Sequence, residues 1–275
     1  MKTVLTISSQ VAGALVGNSV AVQAYQRLGV GVIALPTTLL GIRPDRGAPG
    51  GGPIAPETLR SMIEALEADG RLRGIDAVVS GYLALPEHAA LILDVVDRVK
   101  AASPAAVYVC DPVMGDGAPY VKPDIAQAIC ETLAPRADWL APNAWEMSQI
   151  AGKPETDLDA MRAAARRFGK PALISSIPTA AGLGVLYAAQ SGDWICETQR
   201  LPVAPKGTGD LLTALFVARR VRGEGAAVSL EASVGAVHDV IVRSIAAELD
   251  DLALPEAHDL LEEPETWPSA QALGR

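Results

Sequence analysis

Several residue types that mark common functional classes are scarce in this 275-residue chain. There are three cysteines, Cys110, Cys130 and Cys196, far apart and in no C-x-x-C arrangement. That excludes a disulfide scaffold and a zinc-ligand pattern, and it fits a reducing compartment, so the cytoplasm is the expected location. Aromatic residues make up 4% of the chain, and its four tryptophans show no stacking pattern for nucleic acid. Basic residues are outnumbered, 23 to 32, giving a formal net charge of −9 and an isoelectric point near 4.9. An acidic protein is not drawn to nucleic acid or an anionic membrane surface, so a small molecule is the expected partner. No apolar run approaches the roughly 18 residues of a membrane span, and the first one, from Val4, is broken by Ser8, Ser9 and Gln10. Two motifs are missing as well. Without G-x-x-x-x-G-K-[ST] the chain is not a P-loop kinase, and without a strand-linked G-x-G-x-x-G a dinucleotide oxidoreductase has little support. The three histidines are scattered, and His238, on an apolar helix, reads as a packing residue.

What the chain does have is apolar material, 49% of its residues, enough for a sizeable core. Short β-branched runs alternate with helical patterns. Strands are expected at 3–7, 30–35, 76–80, 106–110 and 138–140, and helices at 18–28, 56–69, 86–101 and 123–133. This alternation predicts an α/β fold with a mostly parallel sheet. Runs at 184–189 and 194–198 flank Gln190-Ser191-Gly192-Asp193 and predict a hairpin at the sheet edge. Helices follow at 208–221 and 229–249, the second with apolar residues at Val234, Val237, Val240, Ile241 and Ile245. No repeat or long linker divides the chain, so one domain is expected over 1–265, with a peripheral tail at 266–275. The stretch from Gly41 to Pro53, rich in glycine and proline, can form neither a helix nor a central strand. It is either a mobile flap or an ordinary connection.

Three clusters carry chemistry. Pro205-Lys206-Gly207-Thr208-Gly209-Asp210 stands directly before an amphipathic helix. Its glycines can aim backbone N–H groups at one point, and the helix N-terminus adds partial positive charge, which makes an anion site. Asp210 is there either a helix cap or a base for phosphoryl transfer. Cys110-Asp111-Pro112-Val113-Met114-Gly115-Asp116 leaves a strand at the carboxyl edge of the sheet, where open α/β sheets gather ligands. Ala141-Pro142-Asn143-Ala144-Trp145-Glu146 leaves the next strand, and Glu146 is equally a metal-side carboxylate or half of a capping box. Together they supply a phosphate cradle, a base and the hard oxygen ligands that Mg²⁺ prefers.

Gly207-Thr208-Gly209-Asp210 before an apolar helix resembles the signature of ribokinase-like kinases. Ser9-Gln10-Val11, Val16-Gly17-Asn18, Ser80-Gly81-Tyr82, the segment 110–116 and Pro142-Asn143 with Glu146 narrow the resemblance to the pyridoxal kinases, in order and spacing up to about residue 250. The resemblance implies a ribokinase-like three-layer α/β/α sandwich, a homodimer, and transfer of the ATP γ-phosphoryl group to the 5′-hydroxyl of pyridoxal. By position, Ser9 and Tyr82 would meet the pyridine ring. If the 41–53 stretch is a flap, its Asp45 or Arg46 is expected to approach the vitamer, because its glycines permit movement and its charges exceed what a plain turn requires. Asp116 and Glu146 would support Mg²⁺. Asp111, Asn143, Glu146, Ser175, Ser176 and Thr208 would line the nucleotide side, and Gly207, Thr208 and Gly209 would form the anion hole with Asp210 as base. A monovalent cation, K⁺ or Na⁺, is a further expectation. The departures fall on the substrate side: Ala12-Gly13-Ala14-Leu15 follows the first serine motif, and Ile42-Arg43-Pro44 stands where many members carry Asn-His-Thr. The related hydroxymethylpyrimidine kinases commonly carry Cys where this chain has Asp210. The competing expectations are a kinase for another hydroxymethyl heterocycle and a non-catalytic vitamer-binding homologue.

Overall fold

A computed structural model describes residues 1–153 and 157–274. Its elements run β1 (Thr3–Val11), α1 (Asn18–Arg27), β2 (Gly31–Leu40), β3 (Gly51–Pro53), α2 (Pro56–Ala68), β4 (Ala77–Ser80), α3 (His88–Ala102), β5 (Val107–Cys110), α4 (Pro123–Ala128), β6 (Trp139–Leu140), α5 (Ala144–Ala151), α6 (Leu158–Phe168), β7 (Ala172–Thr179), β8 (Gly182–Ala188), β9 (Asp193–Thr198), α7 (Thr208–Val221), α8 (Ala226–Ala246), α9 (Leu254–Ala257) and β10 (Gln271–Leu273). The ten strands form one sheet in the order β10-β9-β8-β7-β6-β5-β4-β1-β2-β3. Pairing is parallel from β2 across to β7 and antiparallel outside that block.

The central strands are covered on both faces. In β4 all four residues are buried, and side chains of alternating parity enter two separate cores. Leu5, Ile7, Val78 and Tyr108 pack with α2 to α6 on one face. Val4, Ala77, Val79 and Val109 pack with α1, α7, α8 and α9 on the other. The α/β/α layering expected from the sequence is thus the layering observed.

Strand β2 continues past Pro36, which has no N–H to give to the ladder. At that level β1 shifts register between Ser8 and Ser9, and buried Asn18 closes the gap. Its Nδ2 donates to the carbonyls of Ser8 (3.2 Å) and Leu35 (3.0 Å), while its Oδ1 accepts from Thr6 Oγ1 (3.0 Å). The start of α1 is thereby stitched into the sheet. Strand order reverses direction around β1, with β2 on one side and β4 on the other, and such a switch point opens a crevice at the carboxyl ends.

One expectation is corrected. The β8–β9 hairpin forms, but it is not the sheet edge, because β10 pairs antiparallel with β9 through Gln271–Ile195, Ala272–Trp194 and Leu273–Asp193. The segment after Pro264, expected to be peripheral, lies at the outer edge of the sheet and against α8. Asp239 Oδ2 accepts from the N–H groups of Glu265 and Thr266, and Glu231 accepts from Ala270 N–H. These backbone donors need acceptors once the segment lies against α8, and the carboxylates supply them. Arg275 lies outside the described residues. The 41–53 stretch contains a single 3₁₀ turn at Pro44–Arg46 and the short edge strand β3.

Candidate active site

The helix that matters most begins where the chain turns left-handed. Gly207 has φ +93°, and a Cβ there would lie 2.1 Å from the carbonyl oxygen of Leu15, so only glycine permits this approach. Thr208 then opens α7, and Asp210 sits in its first turn. The Asp210 carboxylate accepts a hydrogen bond at Oδ2 from Gly17 N–H, 2.9 Å away. Burial pushes its carboxyl up to about 6 against that bond, so the group is mostly ionised at neutral pH. Gly17 is itself left-handed, with φ +55°, and a Cβ there would lie 2.3 Å from Ser9 Oγ.

A cavity of about 310 Å³ lies beside this turn. Lining it are Asp111, Asp116, Asn143, Glu146, Ser175, Ser176 and the 207–210 turn, which the sequence assigned to the nucleotide, metal and anion hole. Asp111 and Asp116 reach it from the loop after β5, Asn143 and Glu146 from the segment after β6, Ser175 and Ser176 from within β7, and the 207–210 turn from the start of α7. Asp111 follows β5 and accepts from Thr213 Oγ1 (2.8 Å); burial, then the charges of Glu146 and Asp210, raise its carboxyl well above the usual range. Asn143 follows β6 and caps α5. Its Oδ1 accepts from Glu146 N–H (2.8 Å) and its Nδ2 donates to Gly115 O (2.8 Å). Ser175 and Ser176 form a bulge in β7 where pairing with β8 skips from Ile174 to Ile177. Ser176, at φ +61°, turns the strand toward the cavity.

Glu146 completes the capping box with Asn143, and both of its oxygens are held by backbone donors. Oε2 accepts from Asn143 N–H (2.9 Å), and Oε1 from Met114 N–H (2.9 Å) and Gly115 N–H (3.3 Å). Burial still raises its carboxyl to about 7, because the three donors only partly offset the loss of water and the Asp116 charge adds to the rise. Asp116 is exposed at the mouth. Among the described residues no three His, Cys, Asp or Glu side chains converge tightly enough to cage a metal. That donor set fits an ion that keeps its waters and rides on phosphates, as Mg²⁺ does.

The same cavity also has apolar lining: Leu173, Leu183, Val185, Leu201, Val234, Val237 and Ile241. His238, read from sequence as a packing residue, lines the cavity too; its Nδ1 makes no hydrogen bond among the described atoms and lies 3.7 Å from Asp239 Oδ1. Residues not singled out from sequence also matter here. Lys206 is the only lysine or arginine among the described lining residues, and its Nζ lies 3.0 Å from Tyr120 Oη and 4.9 Å from the ring centre. Its position beside Gly207 was the readable signal; Thr213 and Gly17 gave none beyond helix periodicity and a glycine in a quoted motif.

Three expected substrate residues do not line this cavity. Ser9 is buried beneath Gly17, and its neighbour Ser8 faces the crevice behind Asp210. Tyr82 follows β4, where its N–H donates to Ser8 Oγ (3.0 Å) and its carbonyl accepts from Thr37 Oγ1 (2.7 Å). Asp45 gives both oxygens to Arg43, which is buried and also meets Asp251 (2.6 Å).

Residues 20–252 match the family model described as phosphomethylpyrimidine kinase. Pyridoxal kinase PdxY of Leifsonia xyli is 36% identical over 271 residues, covering 95% of this chain and 96% of its own. That of Burkholderia thailandensis is 34% identical over 285 residues, covering 100% and 99%. Among solved structures, the pyridoxal kinase from Leishmania donovani in complex with ADP and pyridoxamine has a TM-score of 0.93 at 25% identity, with 100% of both chains covered. The Entamoeba histolytica pyridoxal kinase, at 21% identity, shares the fold with a TM-score of 0.92, covering 99% of this chain and 100% of its own. With a left-handed glycine turn and an aspartate opening α7, and with full-length relatives of this kind, the chain belongs to the pyridoxal kinase branch of the phosphomethylpyrimidine kinase family.

Proposed function

We propose that this protein transfers the γ-phosphoryl group of ATP to the 5′-hydroxyl of pyridoxal or a related B6 vitamer, as a cytoplasmic homodimer. One observation carries the reading: the Asp210 carboxylate stands in the first turn of α7, beside the Gly207 turn and lining the 310 Å³ cavity. A phosphate seated on the 207–209 turn and an acceptor hydroxyl on the cleft side of Asp210 would meet there.

Asp210 takes the hydroxyl proton as the alkoxide oxygen bonds to the γ-phosphorus. The bond from that phosphorus to the bridging oxygen breaks, and ADP leaves with its electron pair. The N–H groups at the start of α7 and the glycine turn stabilise charge on the transferring group. Apolar side chains of β7, β8 and α8 receive the nucleobase, and Ser175, Ser176 and Asn143 flank the phosphates. Four carboxylates face a single lysine in the cavity, so bound polyphosphate calls for added cations. Mg²⁺ would be held through water by Asp116 and the Glu146 region and would neutralise phosphate charge; K⁺ or Na⁺ would supplement it. Lys206, released from Tyr120, reaches the same charge.

ATP consumption against pyridoxal, pyridoxine, pyridoxamine and hydroxymethylpyrimidine tests the reading. Turnover with a B6 vitamer is expected. Preference for hydroxymethylpyrimidine would reassign the acceptor, and no turnover with any of them would leave a binding protein.

A further inference from the structure

Behind Asp210 lies a second cavity of about 20 Å³, bounded by Thr6, Ser8, Tyr25, Gly81, Asp111 and Asp210 among others. Its lining residues are buried except the part-exposed Asp210, and it borders the substrate cleft at Asp111, Asp210 and Thr213, which line both. Tyr25 is fully buried, and its hydroxyl has no hydrogen-bond partner among the described protein atoms. A buried hydroxyl in that condition is costly, and such groups in folded proteins are almost always satisfied by protein or by an ordered water. Burial, then the charges of Asp111 and Asp210, raise the Tyr25 phenol far above its ordinary range, so it keeps its hydrogen and needs an acceptor.

The cavity has the volume of about one water, and a bound water needs two to four polar partners. These are present. Tyr25 Oη can donate to it. Ser8 Oγ accepts from Tyr82 N–H and still has its own hydrogen to give. Asp210 and Asp111 can accept the two hydrogens of the water, since Gly17 and Thr213 each occupy only one lone pair of these carboxylates. A cation would not serve, because it cannot accept the Tyr25 hydrogen.

We propose that one water molecule is bound in this cavity, bridging Tyr25 Oη to the Asp210 carboxylate, and that Tyr25 is through it a positioning residue for the base. The inference rests on Asp210 being the base. Gly17 N–H and the bound water then hold the carboxylate from behind and leave a lone pair facing the acceptor hydroxyl.

Tyr25→Phe tests this, because the two accounts of the hydroxyl predict opposite results. An orphan hydroxyl, once removed, raises the melting temperature and leaves kinetics alone; that outcome overturns the proposal. The water bridge predicts no gain in melting temperature and a kcat lower by about 10- to 100-fold, the loss of one hydrogen bond to a charged group. KM for both substrates should stay within about two-fold. The acid limb of the kcat profile should move to higher pH, since ionised Asp210 loses a donor while Asp111, the other titratable group on the cavity, keeps Thr213. In an Asp210→Asn background, Tyr25→Phe should have no further effect on kcat; an additive loss overturns the positioning role. A high-resolution crystal structure of the parent separates this from the identity of the base. Ordered water at Tyr25 Oη supports the site even if Asp210→Asn proves active, and none there overturns it.

Discussion

The backbone N–H of Gly17 donates to Oδ2 of Asp210 across 193 residues of chain, joining the start of α1 to the start of α7. The bond favours the ionised carboxylate, while burial opposes it more strongly, and the balance puts the group near 6. A base poised just below neutral pH is efficient, because it is mostly deprotonated yet still takes a proton readily.

Asp210→Asn keeps the shape and removes the proposed base. It should lower kcat by about 10²–10⁴-fold and change ATP affinity far less, measured by steady-state kinetics and nucleotide titration. In the parent, activity should fall as pH drops through about 6. Stability should move the other way. The folded carboxyl titrates above its unfolded value, so the folded state binds more protons between about pH 4 and 6, and stability declines over that window as pH rises. The asparagine protein should therefore be the more stable one at pH 8, by on the order of 1–3 kcal/mol, less whatever the weaker Gly17 bond costs. The gain should vanish below about pH 4. A variant within a few-fold of the parent rate would make Asp210 a helix cap only.

Gly207→Ala places a methyl against the Leu15 carbonyl at a backbone angle that side chains avoid. The turn must rearrange, so phosphate binding should weaken by at least ten-fold in KM for ATP, with a stability loss of about 1–3 kcal/mol in denaturant titration. Gly223→Ala offers a control, since it has a similar φ of +92° with no atom within 4 Å of the added methyl. It should show the backbone strain without the loss of ATP binding.

Glu146→Gln replaces an oxygen that faces backbone N–H groups with an NH₂ that cannot accept from them. The melting temperature should fall by on the order of 5 °C, from one or two unmet donors in a chain of this size. Loss of the Met114 and Gly115 bonds also frees the loop carrying Asp116, so more Mg²⁺ should be needed for half-maximal rate. A lower melting temperature with an unchanged Mg²⁺ titration would confine Glu146 to capping α5.

The 41–53 segment is pinned through Arg43, whose guanidinium lies between Asp45 and Asp251. The hydrogen bond from Arg43 is the main reason the Asp45 carboxyl titrates below its usual range. Asp45→Ala and Arg46→Ala should each raise the vitamer KM several-fold and leave that for ATP alone. Constants unchanged for every vitamer would make the segment a connection rather than a flap.

Periodicity made the layered fold legible, and Gly207-Thr208-Gly209-Asp210 made the cradle legible, because both are local patterns. What escaped depends on distant context. Strands β3 and β10 are three residues each, with no alternating pattern, and exist because a neighbouring edge offers hydrogen bonds. Helix α6 did carry local signals, an Asp157 cap accepting from Ala160 N–H and a left-handed Gly169 at its end. The register shift opposite Pro36 places its extra residue, Thr37, in β2, so nothing within the Ser8-Ser9 motif itself could reveal it. No sequence window contains both Gly17 and Asp210.

The last strand bears on how the protein can be handled at the bench. β10 is held by three residue pairs to β9, and Arg162 ties it down by donating to the Gly274 carbonyl while also pairing with Asp193 of β9. A truncation at Pro264 would strip the cover from β9 and leave a row of unmet backbone groups along a strand containing Trp194 and Ile195, the kind of edge on which chains stack upon one another. Shortened versions meant to simplify crystallisation would therefore be prone to precipitate, and an affinity handle is better placed at the exposed Met1 than spliced in ahead of residue 271.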